Sequence, residues 1–169
     1  VSERALARGA YPLLVDMRGA TWTGPHTFTL AAGARRFEMW EMSGALTLGL
    51  GAAVDYALDV GIETARARGW ALAERAREGL AALPGARVLD RGARRCAIAT
   101  ATFEGHDAAA LKLRLRAAGI NTSASGRDDA GIDMDAKGAR SALRLSPHYY
   151  NTEDEVDRGI AALAGLLAG

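Results

Sequence analysis

Apolar residues recur with two different periods along this chain, and each period predicts a different element. In Ala142–Ser146 apolar and polar residues alternate, which is typical of a short strand. Pro147 and Asn151 then mark a turn, and Thr152 with Glu155 has the spacing of a capping box, which begins a helix. Apolar residues follow at helical spacing: Val156, Ile160, Leu163 and Leu167. We therefore predict a strand, a tight corner and an amphipathic helix.

The first half of the chain is predominantly helical in pattern. Ser43–Asp59 predicts an apolar helix, in which Gly49 and Gly51 favour close packing of a neighbour. Ile62–Leu83 predicts a second helix with an Arg- and Glu-rich outer face, which we interpret as solvated. Before these helices the pattern is weak, and it predicts a short strand and a loop: Tyr11–Val15 and Gly19–Pro25.

From Ala86 onward the pattern predicts strands interleaved with one helix. The predicted strands are Arg87–Leu89, Cys96–Phe103 and Ile120–Ser123, in addition to Ala142–Ser146. Asp107 is a candidate N-cap for the intervening helix, and Gly119 is its stop signal. This order of elements predicts an α+β fold, with helices on one face of a small, mostly antiparallel sheet.

Composition narrows the class of protein. The 169 residues carry a net charge of +1, which argues against nucleic acid as a partner. No apolar run is long enough for a membrane span. The single cysteine, Cys96, excludes an internal disulfide framework and favours a cytoplasmic location. Because the chain opens on Val1 rather than Met, we expect a processed or truncated product.

The segment Arg144–Asp157 resembles the closing motif of the class V aminotransferase and cysteine desulfurase family. That motif has the form Arg-x-Ser-x-x-x-Tyr-Asn-Thr-x-x-Glu-Val/Ile-Asp, and every fixed position is matched here. The resemblance implies a fold-type I enzyme that uses pyridoxal 5'-phosphate (PLP). It also implies that Arg144 binds the α-carboxylate of an amino-acid substrate, as the planar guanidinium allows. The alternative is a surface arginine paired with Asp or Glu.

The resemblance extends over the whole chain, but only as the C-terminal portion of a longer enzyme. It implies three segments: an edge of the large PLP domain (1–36), connecting helices (37–84) and the small C-terminal α+β domain (85–169). It also implies a homodimer and a missing N-terminal PLP domain as partners. His148 lies in the corner motif and is a second candidate for substrate binding, with a simple turn residue as the alternative.

A second resemblance concerns Arg36–Ser43, which is similar to the family segment Arg-Phe-Glu-x-Gly-Thr. There a threonine reaches the PLP phosphate of the neighbouring subunit. Trp40 and Glu41 stand here in place of Gly-Thr, so Ser43 is the candidate hydroxyl. A hydroxyl at a helix N-terminus suits a phosphate because free N–H groups point at the anion. The alternative is that Trp40 and Met42 belong to the core and Ser43 is only a cap.

Two expected groups of the family are missing from this chain. In cysteine desulfurases the loop that corresponds to Asn121–Arg127 holds a nucleophilic cysteine, whereas this chain has serines there. Serine cannot carry a persulfide, so we do not expect desulfurase activity, and we interpret Cys96 as a small core hydrophobe. The only lysines, Lys112 and Lys137, lack the context of the family's Schiff-base lysine. No catalytic residue is therefore predicted in this chain.

The remaining polar residues suggest no metal site. The three histidines lack ligand spacing, and the aspartates of residues 128–135 lack a calcium-loop pattern, which favours a flexible acidic loop. The sequence thus predicts the carboxylate-binding part of a PLP-dependent transaminase or C–S lyase, inactive as this segment alone. A non-catalytic dimerisation or binding module derived from the family's small domain is the alternative.

Overall fold

The computed structural model describes residues 1–169 and divides into two compact units, Val1–Asp55 and Tyr56–Gly169. In the first unit, α1 (Glu3–Ala7) precedes a hairpin of β1 (Ala20–Gly24) and β2 (Thr27–Leu30), and a 3₁₀ turn follows at Gly33–Phe37. The long helix α2 (Gly44–Val60) then crosses the boundary between the units. The predicted three-segment division is not tested by this grouping and stays a prediction.

Two predictions for the N-terminal segment are wrong. Tyr11–Val15 forms no strand, and Gly19–Pro25, predicted as a loop, contains β1. The strand arises from pairing across the hairpin, where Trp22 lies opposite Phe28, and such pairing leaves little local pattern. Gly19 is required by close approach, because a Cβ there would lie 2.6 Å from the carbonyl oxygen of Arg36.

The predicted apolar helix is confirmed as α2, but the close packing predicted at its glycines is not. None of its 17 residues is buried. The predicted apolar face is largely exposed, and its members are Leu46, Leu50, Val54 and Leu58. A Cβ at Gly49 or Gly51 would meet nothing within 4 Å, so neither glycine serves close packing within this chain.

The larger unit is built on a four-stranded antiparallel sheet. Its elements in chain order are α3 (Ile62–Ala81), β3 (Ala86–Val88), β4 (Ala99–Phe103), α4 (Ala108–Ala117), β5 (Ser123–Gly126), α5 (Gly131–Lys137), β6 (Ser141–Leu145) and α6 (Glu153–Ala168). The strand order is β3-β4-β6-β5, so β6 is central and pairs with both β4 and β5. The predicted α+β class is confirmed.

The core occupies both faces of this sheet. On one face the helices α3, α4 and α6 pack against the sheet. Six leucines are fully buried there: Leu72, Leu80, Leu111, Leu115, Leu143 and Leu163. On the opposite face Met134 of α5 packs with Leu89 and Ala142. Because neighbouring strand residues point to opposite faces, Leu143 and Ala142 belong to different clusters. Residues 128–135, predicted as a flexible acidic loop, instead form a 3₁₀ turn and most of α5.

Three further predictions about the larger unit are corrected. β4 begins at Ala99 and turns Ala99, Ala101 and Phe103 inward, so Cys96 lies before the strand and is exposed rather than in the core. The strand predicted at Ile120–Ser123 begins only at Ser123, because the Ile120 N–H still bonds the Leu115 carbonyl at the end of α4.

The prediction that the arginines of α3 face solvent is wrong for Arg77. Arg77 is only 4% exposed and is the one buried charged residue. In contrast, the predicted caps of the later helices are confirmed. The Asp107 side chain accepts from the Ala110 N–H at the start of α4, and Thr152 forms its capping box with Glu155.

No single helix in the structure is both long and apolar enough to cross a membrane. Only α2 and α3 taken together reach the required length and composition, and a break at Gly61 separates them.

Candidate functional site

Arg144 lies in the central strand β6 and has no ionic partner. Its register neighbours are Thr100 on β4 and Ser123 on β5, so a hydroxyl residue flanks it on each side. No carboxylate lies within salt-bridge distance, and the buried Nε atom has no hydrogen-bond partner. Unpartnered buried donors are rare and costly in folded proteins. The structure therefore gives no support to the alternative in which Arg144 pairs with Asp or Glu.

One carboxylate, that of Asp90, hydrogen-bonds to this row of residues, and both of its oxygens already have partners. Asp90 accepts from the Thr100 backbone N–H at 3.2 Å and from the Thr100 hydroxyl at 2.5 Å. Its other oxygen accepts from Arg77 Nε at 2.8 Å. Three donor groups on Thr100 and Arg77 thus hold Asp90, and the guanidinium of Arg144 remains free for an anion from outside the chain.

The corner that follows β6 is closed by the side chain of Asn151. Its Oδ1 accepts from the His148 backbone N–H at 2.8 Å, and its Nδ2 donates to Glu155 at 3.1 Å. Glu155 also accepts from the Thr152 backbone N–H at 3.0 Å. These backbone and side-chain bonds hold the pKa of Glu155 below its usual range. The corner and the start of α6 therefore form one hydrogen-bonded unit.

Two arginines of α3 join this unit from the side. Arg68 binds both carboxylate oxygens of Glu153 and donates to the Asn151 carbonyl at 3.0 Å. Arg75 makes a bidentate pair with Asp157, with both distances 2.6 Å. Hydrogen bonding to Arg68 lowers the pKa of Glu153 to about 2, and Arg75 lowers the pKa of Asp157 in the same way.

Arg68 and Arg75 were not predicted as part of this unit, although their spacing in the sequence contains a signal. Seven residues separate them, which places both on one face of α3, and four residues separate their partners on α6. Arginines on one face of a helix and carboxylates on one face of another predict ion pairs only if the two helices are known to meet, and the fold shows that α3 and α6 do.

His148 lies in an aromatic cluster at the corner. Its ring centroid is 4.8 Å from that of Tyr149 and 5.1 Å from that of Tyr150. The Tyr149 and Tyr56 hydroxyls lie 2.9 Å apart, and this hydrogen bond raises the pKa of Tyr149. The His148 side chain is exposed and its backbone N–H is satisfied by Asn151, so its role in substrate binding stays a prediction.

A cavity of about 120 Å³ lies directly behind the corner. Its polar wall includes Asn121, Thr122, Ser146, Asn151 and Glu155. The Thr122 hydroxyl is buried there without a hydrogen-bond partner. Buried hydroxyls of this kind are often satisfied by a bound water or by a ligand atom. The two buried side-chain polar atoms without a hydrogen-bond partner are the Thr122 hydroxyl and Arg144 Nε. Arg144 belongs to the motif segment on β6, and Thr122 directly precedes β5, the strand that pairs with β6.

Ser43 caps α2, as its alternative interpretation requires. Its hydroxyl accepts from the Leu46 N–H at 3.3 Å, and its carbonyl accepts from the Thr47 hydroxyl at 3.0 Å. Trp40 and Met42 are not core residues, since both are more than half exposed. An exposed helix N-terminus remains compatible with a phosphate. A phosphate contact at Ser43 therefore stays a prediction.

The serine-containing segment forms strand β5 and carries no cysteine. At its end Arg127 makes a bidentate pair with Asp135 of α5, with both distances 2.6 Å. Cys96 lies on a different loop, before β4, and is exposed. The chain contains no group of three His, Cys, Asp or Glu side chains arranged to hold a metal ion.

Comparison with known proteins identifies the family. The model of the class-V aminotransferases matches residues 20–158, so the chain belongs to this family of PLP-dependent enzymes. A probable cysteine desulfurase of Xylella fastidiosa strain 9a5c is 34% identical over 131 residues, which are 76% of this chain and 30% of that protein. Its counterpart in strain Temecula1 is 30% identical over 128 residues, with the same coverage. The chain spans about 30% of the length of these curated relatives.

Solved structures show the same fold. The cysteine desulfurase CsdA from Escherichia coli aligns over 93% of this chain and 39% of its own, with 26% identity and a TM-score of 0.75. A cysteine desulfurase from Thermococcus onnurineus NA1 aligns over 94% and 40%, with 21% identity and a TM-score of 0.77. These alignments confirm that the chain has the fold of part of a fold-type I PLP-dependent enzyme.

The residues of this chain fit only part of a PLP site. Arg144 suits a substrate carboxylate, and the α2 N-terminus at Ser43 suits a phosphate. The covalent attachment needs a free lysine, whereas the Lys137 ammonium donates to Asp133 at 2.7 Å and is only 14% exposed. That neither lysine of this chain holds the cofactor stays a prediction.

Proposed function

We propose that this chain supplies the substrate-carboxylate site of a PLP-dependent enzyme that acts on an amino acid. Arg144 binds the α-carboxylate with its guanidinium, and His148 lines the same site from the corner. PLP, when bound, withdraws electrons from the α-carbon of the substrate. The residues of this chain orient the substrate, and we expect the catalytic lysine to lie outside this sequence.

The observation that carries the proposal is the free guanidinium of Arg144. It lies in a row of hydroxyl side chains on a central strand, and no carboxylate of the chain pairs with it. A central strand is a rigid support, so the guanidinium is held before the substrate arrives. The closed corner and the Arg68 and Arg75 ion pairs keep the adjoining segment in place.

Exposed apolar surface supports partners for this chain. The apolar face of α2 is uncovered, and Met39, Trp40 and Met42 just before it are about half exposed or more. Contiguous exposed apolar surface of this kind marks an interaction site. We propose the PLP-bearing domain of a longer polypeptide and a second subunit as its partners, which accords with a chain spanning about 30% of its curated relatives.

The reaction is proposed to be transamination or C–S lysis rather than desulfuration. Two curated relatives are named probable cysteine desulfurases, but the segment Asn121–Arg127 carries serines and no cysteine. A serine hydroxyl is a poor acceptor for sulfur, whereas a cysteine thiolate is a strong nucleophile. We also propose a cytoplasmic location, because the single cysteine leaves no internal disulfide to maintain.

Removing one charge from the protein, and separately one charge from the ligand, tests the role of Arg144. Arg144→Gln in the full-length protein is expected to weaken binding of the amino-acid substrate by about 1.5–3 kcal/mol, the worth of a charged hydrogen bond. The matched ligand is the amine that lacks the α-carboxylate. Its binding is expected to be equally weak in both proteins, so the two changes are not additive. Titration calorimetry with the four combinations measures this coupling.

The same experiment separates the alternatives. Equal losses for the amino acid and the amine would contradict carboxylate binding by Arg144. Exposed Arg158, which has no ion pair, provides the matched control as Arg158→Gln. A full-length protein that takes up no PLP would instead favour the alternative function, a non-catalytic dimerisation or binding module.

A further inference from the structure

A second cluster of cations lies in the loop between β3 and β4, and Arg144 does not line it. A cavity of about 300 Å³ opens there, and we call it the basic pocket. Five cationic side chains line it: Arg77, Arg91, Arg94, Arg95 and Lys137. Cys96, Ile98 and Asp90 complete the wall. Its volume is at the lower end of the range of small-molecule pockets.

The carboxylates around the basic pocket do not balance its positive charge. Three of the five cations have a carboxylate partner: Arg77 with Asp90, Arg95 with Glu74 at 2.6 Å, and Lys137 with Asp133 at 2.7 Å. Arg91 contacts only the Ala136 carbonyl, at 3.5 Å, and Arg94 has no partner. The whole chain has a net charge of only +1, so this excess is local.

The acceptors in the pocket wall are already used. Arg77 donates to the carbonyl oxygens of Cys96 and Ile98, both at 2.6 Å. The Lys137 carbonyl, at the end of α5, accepts from Arg87 at 2.7 Å. Satisfied carbonyl oxygens offer little to a cation, whereas unpaired guanidinium groups offer several donors to an anion. The wall therefore selects for negative charge.

Arg77 also fixes the loop that carries the free arginines. It is buried and bonds Asp90 at one end of the loop and the carbonyls of Cys96 and Ile98 at the other. Three arginines fall within Arg91–Arg95, and like charges this close repel each other. A bound anion would relieve that repulsion. Because Arg77 bonds both ends of the loop, the pocket keeps its shape before an anion binds.

We propose that the basic pocket binds a small molecule with two adjacent phosphate groups. Arg91 and Arg94 bind the phosphates, since guanidinium groups pair with phosphate oxygens in a bidentate manner. Two unpaired guanidiniums match a group with more than one negative charge better than a single carboxylate. The proposal is independent of the role of Arg144.

Cys96 provides a direct reporter because it is exposed and lines the pocket. Tryptic cleavage after Arg95 and Lys112 releases it in one peptide, Cys96–Lys112, which mass spectrometry can follow in the full-length protein. Iodoacetate and iodoacetamide are nearly isosteric, and only iodoacetate is charged. The ratio of their reaction rates at Cys96 therefore reports the local potential, because the thiolate fraction cancels.

Arg91→Gln/Arg94→Gln is expected to lower the iodoacetate-to-iodoacetamide ratio about threefold at low salt. Arg116→Gln/Arg158→Gln removes the same charge from exposed positions outside the pocket and is expected to leave the ratio unchanged. Inorganic diphosphate is expected to slow alkylation of Cys96 by iodoacetamide at constant ionic strength. The double pocket variant should lose this protection, and Arg144→Gln should retain it.

The outcomes decide between the possible occupants. Protection by inorganic diphosphate supports a free anion, and stronger protection by ADP supports a nucleotide, both of which contain the proposed group. An unchanged rate ratio in the double pocket variant would overturn the proposal. Protection no better than with KCl would do so too. Protection by hexaglutamate at lower concentration than by diphosphate would replace the small molecule with an acidic polypeptide.

Discussion

Arg77 Nε donates to Asp90 Oδ2 at 2.8 Å, and this pair connects α3 to the strand face that carries Arg144. Arg77 is 4% exposed and the Asp90 side chain 12% exposed, so solvent screens the pair little. Asp90 in turn holds Thr100, the register neighbour of Arg144. One partly buried carboxylate therefore pairs with the α3 arginine and leaves the β6 arginine without an ion pair.

Asp90→Ala is expected to destabilise the protein by about 3 kcal/mol or more, because it leaves the buried Arg77 charge with only one, weaker carboxylate partner. The remaining carboxylate, Glu74, lies 3.2 Å from Arg77 and is 43% exposed. Urea denaturation followed by circular dichroism measures the loss. Glu74→Ala is the matched control and is expected to cost about 1 kcal/mol or less. Equal losses for the two variants would contradict this assignment.

The two ion pairs between α3 and α6 predict a specific acid sensitivity. Arg68 lowers the pKa of Glu153 to about 2 and Arg75 lowers that of Asp157, so both carboxylates bind protons more readily in the unfolded chain. Their contribution is therefore complete above the unfolded pKa values, roughly 4 to 4.5, and is lost as pH falls through the folded values toward about 2.

Comparison with Arg68→Gln/Arg75→Gln isolates these pairs from the other carboxylates. The parent protein is expected to be more stable than the double variant near neutral pH, and the two urea midpoints should converge as pH falls toward about 2. High salt should reduce the difference, because both pairs are exposed to solvent. A difference that stays constant with pH would show that the arginines act by packing instead.

Elements with strong local signals were predictable from the sequence. The strand at β6, the capping box of Thr152 and Glu155, and the apolar helix α2 follow from period and capping residues alone, whereas the exposure of α2 does not. Arg144 was singled out differently, by the resemblance of its segment to the closing motif of the family. In each case the residues that determine the feature lie close together in the sequence.

The features that were missed depend on partners distant in sequence. The hairpin of β1 and β2 is defined by pairing across strands, and Arg77 is buried only because a loop about 20 residues away supplies its carbonyl partners. Cys96 is exposed because it lies in the loop before β4, which begins only at Ala99. Periodicity carries no information about such long-range partners.

Two glycines of the helical layer are expected to respond in opposite directions to alanine. A Cβ at Gly79 on α3 would lie 2.8 Å from Cγ1 and 3.1 Å from Cγ2 of Ile160, a stiff β-branched side chain. Gly79→Ala should therefore destabilise by about 1–3 kcal/mol through overpacking. Gly165 on α6 has nothing within 4 Å of that position, so Gly165→Ala should stabilise by about 0.5–1 kcal/mol.

Thermal denaturation of the two variants checks the contrast, with Ile160→Ala as a second background. Alanine removes both Cγ atoms of Ile160, so Gly79→Ala is expected to cost less in the Ile160→Ala background than in the parent protein. Stabilisation by Gly79→Ala would show that α3 and α6 move apart at little cost, and would contradict the close approach of these helices.

Reduction with borohydride tests where the full-length protein holds PLP. The Lys137 ammonium is paired with Asp133 at 2.7 Å, and Lys112 lies within α4. If the proposed function is correct, the reduced pyridoxyl group is expected to map outside residues 1–169. Lys112→Arg and Lys137→Arg keep the charge and should leave the absorbance of the bound cofactor unchanged. Stoichiometric labelling of Lys112 or Lys137 would contradict the placement of the catalytic lysine outside this chain, since the bond formed is covalent and specific to one amine.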